Sequence, residues 1–188
     1  GVQTCALPIW EFQGDLGFSS TSLVQNGDAI YFSQGAAQSF STGGLTSFGQ
    51  ITVGKTAGAV SLGGGLTATS IAVSSGTLNT NGSSIVVTGN LSGSGSLVAT
   101  GSETITIGGS MSVTGFTSGS STVIFNGSSD SACLGYSFYD LTMDLATVGT
   151  KLAPSAGITV THRFTQTKGT FVGGTGLTHK IAGDWDSY

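Results

Sequence analysis

Apolar and polar residues alternate over short stretches along most of the chain. Residues 103–107 read Glu-Thr-Ile-Thr-Ile, so the isoleucines share one face of an extended strand and the threonines share the other. Comparable stretches are 84–88, 121–125, 141–144, 158–161 and 180–182. No stretch combines a 3.6-residue apolar period with capping residues, and the many glycines between the stretches would penalise a helix. The pattern therefore predicts an all-β chain.

The alternating stretches belong to a short repeat. Residues 76–92 and 95–112 share an initial glycine, an apolar residue two positions later, a glycine-containing turn, alternating apolar positions and a Gly-x-apolar ending. A third copy lies at 169–185. A repeat of about 20 residues, with two or three strands, suits one coil of a β-solenoid. We therefore expect residues 10–188 to form a right-handed parallel β-helix with coils of ~20 residues, roughly nine coils and a rod of ~40 Å.

A longer repeat relates two modules, at about 29–91 and 122–185. The matched landmarks are Phe32 with Phe125, Phe48 with Phe138, Gly76 with Gly169 and Gly89 with Gly183. Their offsets are nearly constant, at roughly 90 residues. Tandem β-sandwich modules are the alternative fold, because the turn spacing also suits a sandwich. The recurrence of the short repeat within and between the modules favours a single solenoid.

The composition is far from that of an average soluble domain. Charged residues make up 7% of the chain, against about 25% in typical domains. A disordered chain would combine low hydrophobicity with high net charge, but 38% of these residues are hydrophobic and the net charge is only −4. There is no basic patch for nucleic acid, and no apolar run approaches the ~18 residues that span a bilayer.

Residues 1–9 read Gly-Val-Gln-Thr-Cys-Ala-Leu-Pro-Ile and resemble the in-frame translation of a common sequencing adapter. We therefore expect this segment to be an unstructured artefact that packs on nothing, and the chain to be a fragment of a longer metagenomic reading frame. Such segments are set aside before the fold is considered. Without Cys5 only Cys133 remains, and one cysteine provides neither a disulfide nor a zinc site.

The chain resembles the β-strand-repeat surface proteins of bacteria and archaea in four phrases: Val-Ile-Phe-Asn-Gly at 123–127, Ser-Phe-Tyr-Asp-Leu-Thr-Met at 137–143, Gly-Ile-Thr-Val at 157–160 and Ile-Ala-Gly-Asp-Trp at 181–185. Those are very large, secreted, adhesin-like proteins built from parallel β-helix repeats. The resemblance covers about 29–188, and its motifs are low in complexity. It implies an elongated stalk or adhesive segment that is extracellular or attached to the cell surface.

Two pairs of polar residues are candidates for catalysis. Asp140 and Asp144 share one face of a strand but lie about 13 Å apart along it, too far for the carboxylate pair of a glycosidase. We interpret them as solvated charges that block unwanted strand pairing. His162 and Arg163 are adjacent, but the Asn-Thr-Asp, Asp-Asp, Gly-His-Gly and Arg-Ile-Lys motifs of polygalacturonase-like β-helix enzymes are missing. The sequence therefore predicts no catalytic residue.

No cofactor or metal is expected. His162 and His179 are separated by roughly one coil, but two histidines without a third ligand make a weak zinc site. Thr-x-Thr pairs of the kind that flat solenoid faces use against ice occur at 104–106, 159–161 and 165–167. They do not recur at the coil period, so the sequence gives ice binding little support.

The sequence as a whole predicts a structural stalk or adhesive segment of a large secreted repeat protein, without catalysis of its own. The alternative is a β-helix protein that binds or cleaves polysaccharide, with glycan contacts at Tyr136, Tyr139 and Trp185, and with Tyr188 as a further aromatic candidate. Burial of these aromatic rings in the coil interior would remove the main support for the alternative. The expected partners are an unidentified surface or glycan ligand and flanking repeats of the same chain.

Overall fold

The computed structural model describes residues 9–19, 29–45 and 47–188, and over these residues the chain is all-β without a helix. Parallel strands wind into a β-solenoid of about eight turns. This confirms the predicted parallel β-helix. Every strand pairing in the described residues is parallel, whereas the strands of a β-sandwich are antiparallel.

The described residues form eighteen strands. Their bounds are β1 Ile9–Phe12, β2 Leu16–Gly17, β3 Ala29–Phe32, β4 Gln38–Ser41, β5 Phe48–Leu62, β6 Leu66–Asn79, β7 Ile85–Val87, β8 Leu91–Val98, β9 Thr104–Ile107, β10 Met111–Thr117, β11 Thr122–Phe125, β12 Ser131–Cys133, β13 Ser137–Asp144, β14 Lys151–Pro154, β15 Thr159–Lys168, β16 Thr170–Phe171, β17 Lys180–Ile181 and β18 Asp184–Ser187.

Each coil has three sides, numbered in the order in which the chain passes through them. Side one contains β1, β3, β12, β14 and β16, side two contains β2, β4 and β17, and side three contains β7, β9, β11 and β18. The longer strands β5, β6, β8, β10, β13 and β15 continue around at least one corner and contribute to two or three sides.

Inward side chains of successive coils stack in apolar ladders. On side one, Ile30, Ile51, Ile71, Leu91 and Met111 are paired in register and buried. Neighbouring members follow one another at about 20 residues, the coil length that the short repeat predicts. Burial of one such side chain stabilises a fold by about 1.5–3 kcal/mol, so the ladders supply the main driving force for stacking the coils.

Short side chains at the corner between sides three and one tie consecutive coils together. Asn90 Oδ1 accepts a hydrogen bond from the backbone N–H of Ser110 at 2.8 Å, and Ser110 Oγ accepts one from Ala132 N–H at 2.9 Å. One coil further on, Asp130 Oδ1 accepts a hydrogen bond from Lys151 N–H at 2.9 Å. We call Asn90, Ser110 and Asp130 the corner ladder. It satisfies backbone donors at a bend, where the strand pairing is interrupted.

Glycine is required where two coils approach closely. Gly93 has φ +126°, and a Cβ atom there would lie 2.1 Å from the carbonyl oxygen of Val73 in the preceding coil. Gly183 would place a Cβ atom 1.7 Å from the carbonyl oxygen of His162. No other residue fits these two positions without a shift of the backbone.

Glu103 is buried at the corner before β9 and keeps its charge through hydrogen bonds. Its carboxylate accepts hydrogen bonds from the Thr80 hydroxyl, from Thr100 N–H at 2.9 Å and from Gly101 N–H at 2.8 Å. Burial by itself raises the pKa of Glu103, but these hydrogen bonds outweigh burial and hold the pKa below its ordinary value. The ionised carboxylate therefore links the turn at Thr100 to the coil that contains Thr80.

Lys55 is buried at the corner between sides one and two of the third coil. Its Nζ donates hydrogen bonds to the carbonyl oxygen of Ser33 at 3.0 Å and to the side-chain oxygen of Gln38. Gln38 Nε2 in turn donates to the carbonyl oxygens of Phe12 at 3.1 Å and Gly14 at 2.6 Å. Burial lowers the pKa of Lys55. This network joins the first three coils through their interior.

Matched landmarks of the two predicted modules lie on different sides of the coil. Phe32 faces inward on side one and its match Phe125 does so on side three, while Phe48 lies on side three and Phe138 on side two. In each pair the residue of the second module lies one side earlier in the coil than its match in the first module. The reason is that the offset between the modules is not a whole number of coils. The strands of both modules belong to one continuous stack, and the division into two modules stays a prediction.

The predicted boundary at residue 9 falls inside the first strand. Ile9 pairs with Ala29 at the start of β1 and is 69% exposed, so the stack already includes Ile9, the last residue of the predicted segment. The remainder of the predicted adapter segment, residues 1–8, lies outside the described residues. None of the described residues forms a helix that is long and apolar enough to cross a membrane.

Candidate functional site

The corner between sides two and three carries unusual outward side chains in β13. Phe138 and Leu141 both point into the core, and a register shift lies between Phe138 and Asp140. The two residues between the buried positions, Tyr139 and Asp140, therefore both face outward. A strictly alternating strand would have buried one of them.

The next coil widens the same corner by one residue. In β15, Val160 and Phe164 are buried, and the three residues between them, Thr161, His162 and Arg163, are exposed. This places His162 directly over the preceding coil's Tyr139–Asp140 step, one strand spacing away.

An aromatic stack and a hydrogen bond connect the two coils at this corner. The rings of Tyr139 and His162 are stacked, with centroids 4.7 Å apart and planes inclined by 11°. His162 Nδ1 lies 2.7 Å from Asp140 Oδ1, in hydrogen-bonding distance. About half of the His162 side chain and about a quarter of the Asp140 side chain are exposed. A carboxylate that holds one imidazole nitrogen fixes the orientation of the ring.

Arg163 is held between two carboxylates of the last coil. Its guanidinium lies 3.5 Å from Asp186 and 3.9 Å from Asp184. Asp140, Arg163 and Asp184 are paired in register, so their charges alternate along the rod. Exposed ion pairs of this kind contribute about 0–1 kcal/mol each to stability. We call the following set the charged corner: Tyr139, Asp140, His162, Arg163, Asp184 and Asp186.

The charged corner lacks several groups that hydrolytic or lyase chemistry uses. In the described part of the chain, no hydroxyl or thiol is hydrogen-bonded to Nε2 of His162, as the nucleophile of a Ser-His-Asp arrangement would be. Arg163 is already paired with two carboxylates, which competes with binding of an acidic sugar. The described residues contain no group of three or more His, Cys, Asp or Glu side chains that could hold a metal ion.

The predicted glycan contacts occupy three different environments. Tyr136 is buried, and its hydroxyl donates a hydrogen bond to the carbonyl oxygen of Val113 at 2.5 Å. Burial, with a smaller contribution from Cys133, raises the pKa of Tyr136. Tyr136 therefore belongs to the core, and its side chain is not available to a glycan in this arrangement.

Trp185 and Tyr139 are the more accessible of the three predicted contacts. Trp185 packs edge-on against Phe164, with ring centroids 5.0 Å apart, and is 55% exposed because β18 belongs to the last coil. Tyr139 is half-buried and stands on the outer surface, in the charged corner. The structure thus places Tyr139 beside a carboxylate and an imidazole. Tyr188, the further candidate, is 86% exposed at the last position.

The remaining polar candidates do not converge on one site. Asp144 is exposed at the far end of β13, where it is paired in register with Lys168 instead of joining Asp140. His179 accepts a hydrogen bond from Ile158 N–H at 3.2 Å, and its other ring nitrogen lies 2.7 Å from the Gly173 carbonyl oxygen. The two histidines therefore have separate partners.

Cys133 is buried on side one. Burial raises the pKa of its thiol to about 12, so it is protonated and unreactive at neutral pH.

A groove on the outer face of side one contains Tyr31, an aromatic residue that is not among the predicted glycan contacts. The groove has a volume of about 510 Å³ and is lined by Ile9, Glu11, Ala29, Tyr31, Gln50 and Thr52. The ring of Tyr31 lies over Gly54, where a Cβ atom would come within 2.2 Å of the tyrosine hydroxyl. Alternation in β3 could have revealed Tyr31, because its neighbours Ile30 and Phe32 are the inward residues.

Comparison with known proteins adds no relative to this picture. No protein-family model, no curated protein sequence and no solved structure matches the chain.

Proposed function

We propose that the chain is a structural segment of a large secreted or cell-surface repeat protein, in which it spaces or presents adhesive regions and performs no catalysis of its own. The observation that carries the proposal is the continuity of the stack. Strands from β1 to β18 join one parallel arrangement with an apolar interior. A rod of this kind holds the segments at its two ends a fixed distance apart and carries mechanical force between them.

The outer surface supports the same role. Outward positions carry mostly Ser, Thr, Gly and Ala, and most exposed charges lie on the last coils. At the charged corner, the side chains mainly bond to one another: His162 to Asp140, and Arg163 to Asp184 and Asp186. The extracellular location rests on the low charge of the chain and on its resemblance to secreted β-strand-repeat proteins.

Mechanical unfolding of single molecules tests the load-bearing role. A coil of about 20 residues lengthens by about 70 Å when it is fully extended, so a rod that yields coil by coil should extend in steps of about that size or its multiples. A featureless extension at low force would contradict the proposal. So would release of reducing ends or unsaturated products from any member of a polysaccharide panel.

A second candidate function, polysaccharide binding, is favoured by one observation. Tyr139 is an outward aromatic ring that is held in place by the stack on His162 and flanked by the Asp140 carboxylate. Sugar-binding sites combine a rigid aromatic surface with a few polar groups that fix orientation. Asp140 and His162 would accept and donate hydrogen bonds to hydroxyl groups of a sugar placed against the ring.

A glycan array followed by titration distinguishes the two candidates. Saturable binding of one defined glycan that Tyr139→Ala abolishes would overturn the purely structural proposal. Tyr31→Ala is the matched control, because it removes an equivalent outward ring at the opposite end of the rod. Binding that is lost in Tyr31→Ala but kept in Tyr139→Ala would move the site to the groove on side one.

A further inference from the structure

Side three carries a regular row of outward β-branched residues that the sequence did not reveal. Strand pairing aligns Thr67 with Val86, Val86 with Thr106, Thr106 with Ile124 and Ile124 with Thr142. The sequence separations between neighbours are 19, 20, 18 and 18 residues, so no fixed period marks the row. Only the register of the strands brings the five residues into line.

A second outward row runs beside the first. Thr104 and Thr122 are paired in register, two positions before Thr106 and Ile124 on the same strands. In the next coil this second row reaches Asp140, where the charged corner begins. We call the following outward residues the uncharged face: Thr67, Val86, Thr104, Thr106, Thr122 and Ile124.

The geometry of the uncharged face is that of a lattice. Neighbouring strands lie about 4.8 Å apart, and residues two positions apart on one strand are separated by about 6.6 Å. From β6 to β13 the pairings on side three contain no register shift, whereas bulges interrupt pairings that involve sides one and two. The row from Thr67 to Thr142 crosses four strand spacings, or about 19 Å.

The side chains of this face are held rigidly. Val, Ile and Thr are restricted at χ1 because they branch at Cβ. The inward residues that alternate with them, among them Ile85, Ile105 and Val123, are fully buried in the stack. The methyl and hydroxyl groups therefore keep fixed positions on the grid, and the face contains no charged side chain that would order water around itself.

We propose that the uncharged face binds ice. A small dissolved molecule can contact only a few of these positions, whereas a crystal with a matching repeat can contact all of them at once. The spacings of the grid are close to those between oxygen atoms on the prism faces of ice. Threonine hydroxyls join the water lattice, and the methyl groups of Thr, Val and Ile exclude liquid water between them. This activity goes beyond the structural role and does not depend on it.

Thermal hysteresis and ice recrystallisation of the purified chain test the inference. We expect ice crystals to be shaped and their growth to be arrested within a measurable temperature gap. Thr106→Lys, at the centre of the face, should lose most of this activity, whereas Thr106→Val should keep most of it. Ser112→Lys is the matched control, because it adds the same charge to an exposed outward position on side one.

Each outcome bears on the proposal. Absence of hysteresis and of recrystallisation inhibition in the unaltered chain would overturn it, as would an equal loss in Ser112→Lys. Circular dichroism and thermal melts must show that the variants are folded like the parent. Sedimentation distinguishes the rival occupant: if the unaltered chain is an ice-inactive dimer that Thr106→Lys converts to a monomer, the face binds a second copy instead of ice. None of these results alters the mechanical test of the structural role.

Discussion

The two halves of side three share the same ladder of buried apolar residues and differ in what they present to solvent. Between β7 and β11 the outward residues are Ser, Thr, Val and Ile, whereas in the last coils the row of Thr122 continues with Asp140, Arg163 and Asp184. The inward residues do not follow this division, because Val123 and Leu141 are fully buried alike. The comparison shows that the interior determines the coil, while the outward positions are available for surface chemistry.

Buried side chains should contribute equally to the free energy of unfolding under both halves. Phe125→Ala, below the uncharged face, and Phe164→Ala, below the charged corner, should each lower the free energy of unfolding by about 3–5 kcal/mol, because each leaves a cavity in a closely packed ladder. Denaturant titration measures both losses. A loss below about 1 kcal/mol for Phe164→Ala alone would show that the last coils are loosely packed, and the two halves would then differ inside as well as outside.

The uncharged half contains one ionised side chain, the carboxylate of Glu103, and it is buried. Glu103→Gln should lower the free energy of unfolding by about 1–3 kcal/mol, because an amide NH₂ group would face the Thr100 and Gly101 N–H donors. Since the folded pKa of Glu103 lies below its unfolded value of about 4.3, its contribution is present above that pH and is lost as pH falls through the folded pKa.

The pH dependence separates this group from the exposed aspartates. Thermal melts between neutral and acidic pH should show a smaller acid-induced loss of stability in Glu103→Gln than in the parent chain. An identical acid profile in the two proteins would mean that Glu103 is not the carboxylate that links folding to pH.

The corner ladder crosses the boundary between the halves. Its hydrogen bonds should contribute similarly to the stability of the fold on either side of that boundary. Asn90→Ala and Asp130→Ala each remove the acceptor of a hydrogen bond from a backbone N–H. Each substitution should therefore lower the free energy of unfolding by about 0.5–1.5 kcal/mol. Denaturant titration with Ser112→Ala, an outward residue of the same sheet, provides the baseline. A cost confined to Asp130→Ala would indicate that charge, and not the hydrogen bond, is what matters at this position.

The charged corner should have the smallest effect on stability. Asp140→Asn and Arg163→Ala should each change the free energy of unfolding by no more than about 1 kcal/mol, and the change should shrink further in high salt. Melting curves at low and high salt measure this. A loss of several kcal/mol that salt does not reduce would assign the corner a structural role equal to that of the ladders.

Periodic features of the fold could be predicted from the sequence, and local irregularities could not. Gly76 and Gly95 mark neighbouring coils at nearly the same spacing as Ile51 and Ile71 of the apolar ladder, so the coil length was visible. Alternation from the buried Phe138 also indicates that Tyr136 points inward, although the sequence analysis proposed it as a surface contact. The joint exposure of Tyr139 and its neighbour Asp140 depends on a register shift, and a shift of register leaves no mark in the pattern.

The uncharged face is hidden in the sequence for a related reason. A constant period of threonine pairs does not mark it, because the row from Thr67 to Thr142 mixes Thr with Val and Ile and varies in spacing. The corners between strands absorb insertions and deletions, so residues that are aligned in space drift apart in sequence. The strand register, and not the sequence spacing, identifies such a row.

The stacking of coils has a consequence for how the molecule loses its structure. Because each coil is hydrogen-bonded only to the coils before and after it, the stability of the rod is approximately a sum of terms for single coils and for neighbouring pairs. A weak coil in the middle then acts as a boundary between two blocks that melt separately, instead of unfolding the whole chain. Amide hydrogen exchange should accordingly be fastest in the terminal coils and slowest near Ile71 and Leu91, with protection that changes stepwise from coil to coil.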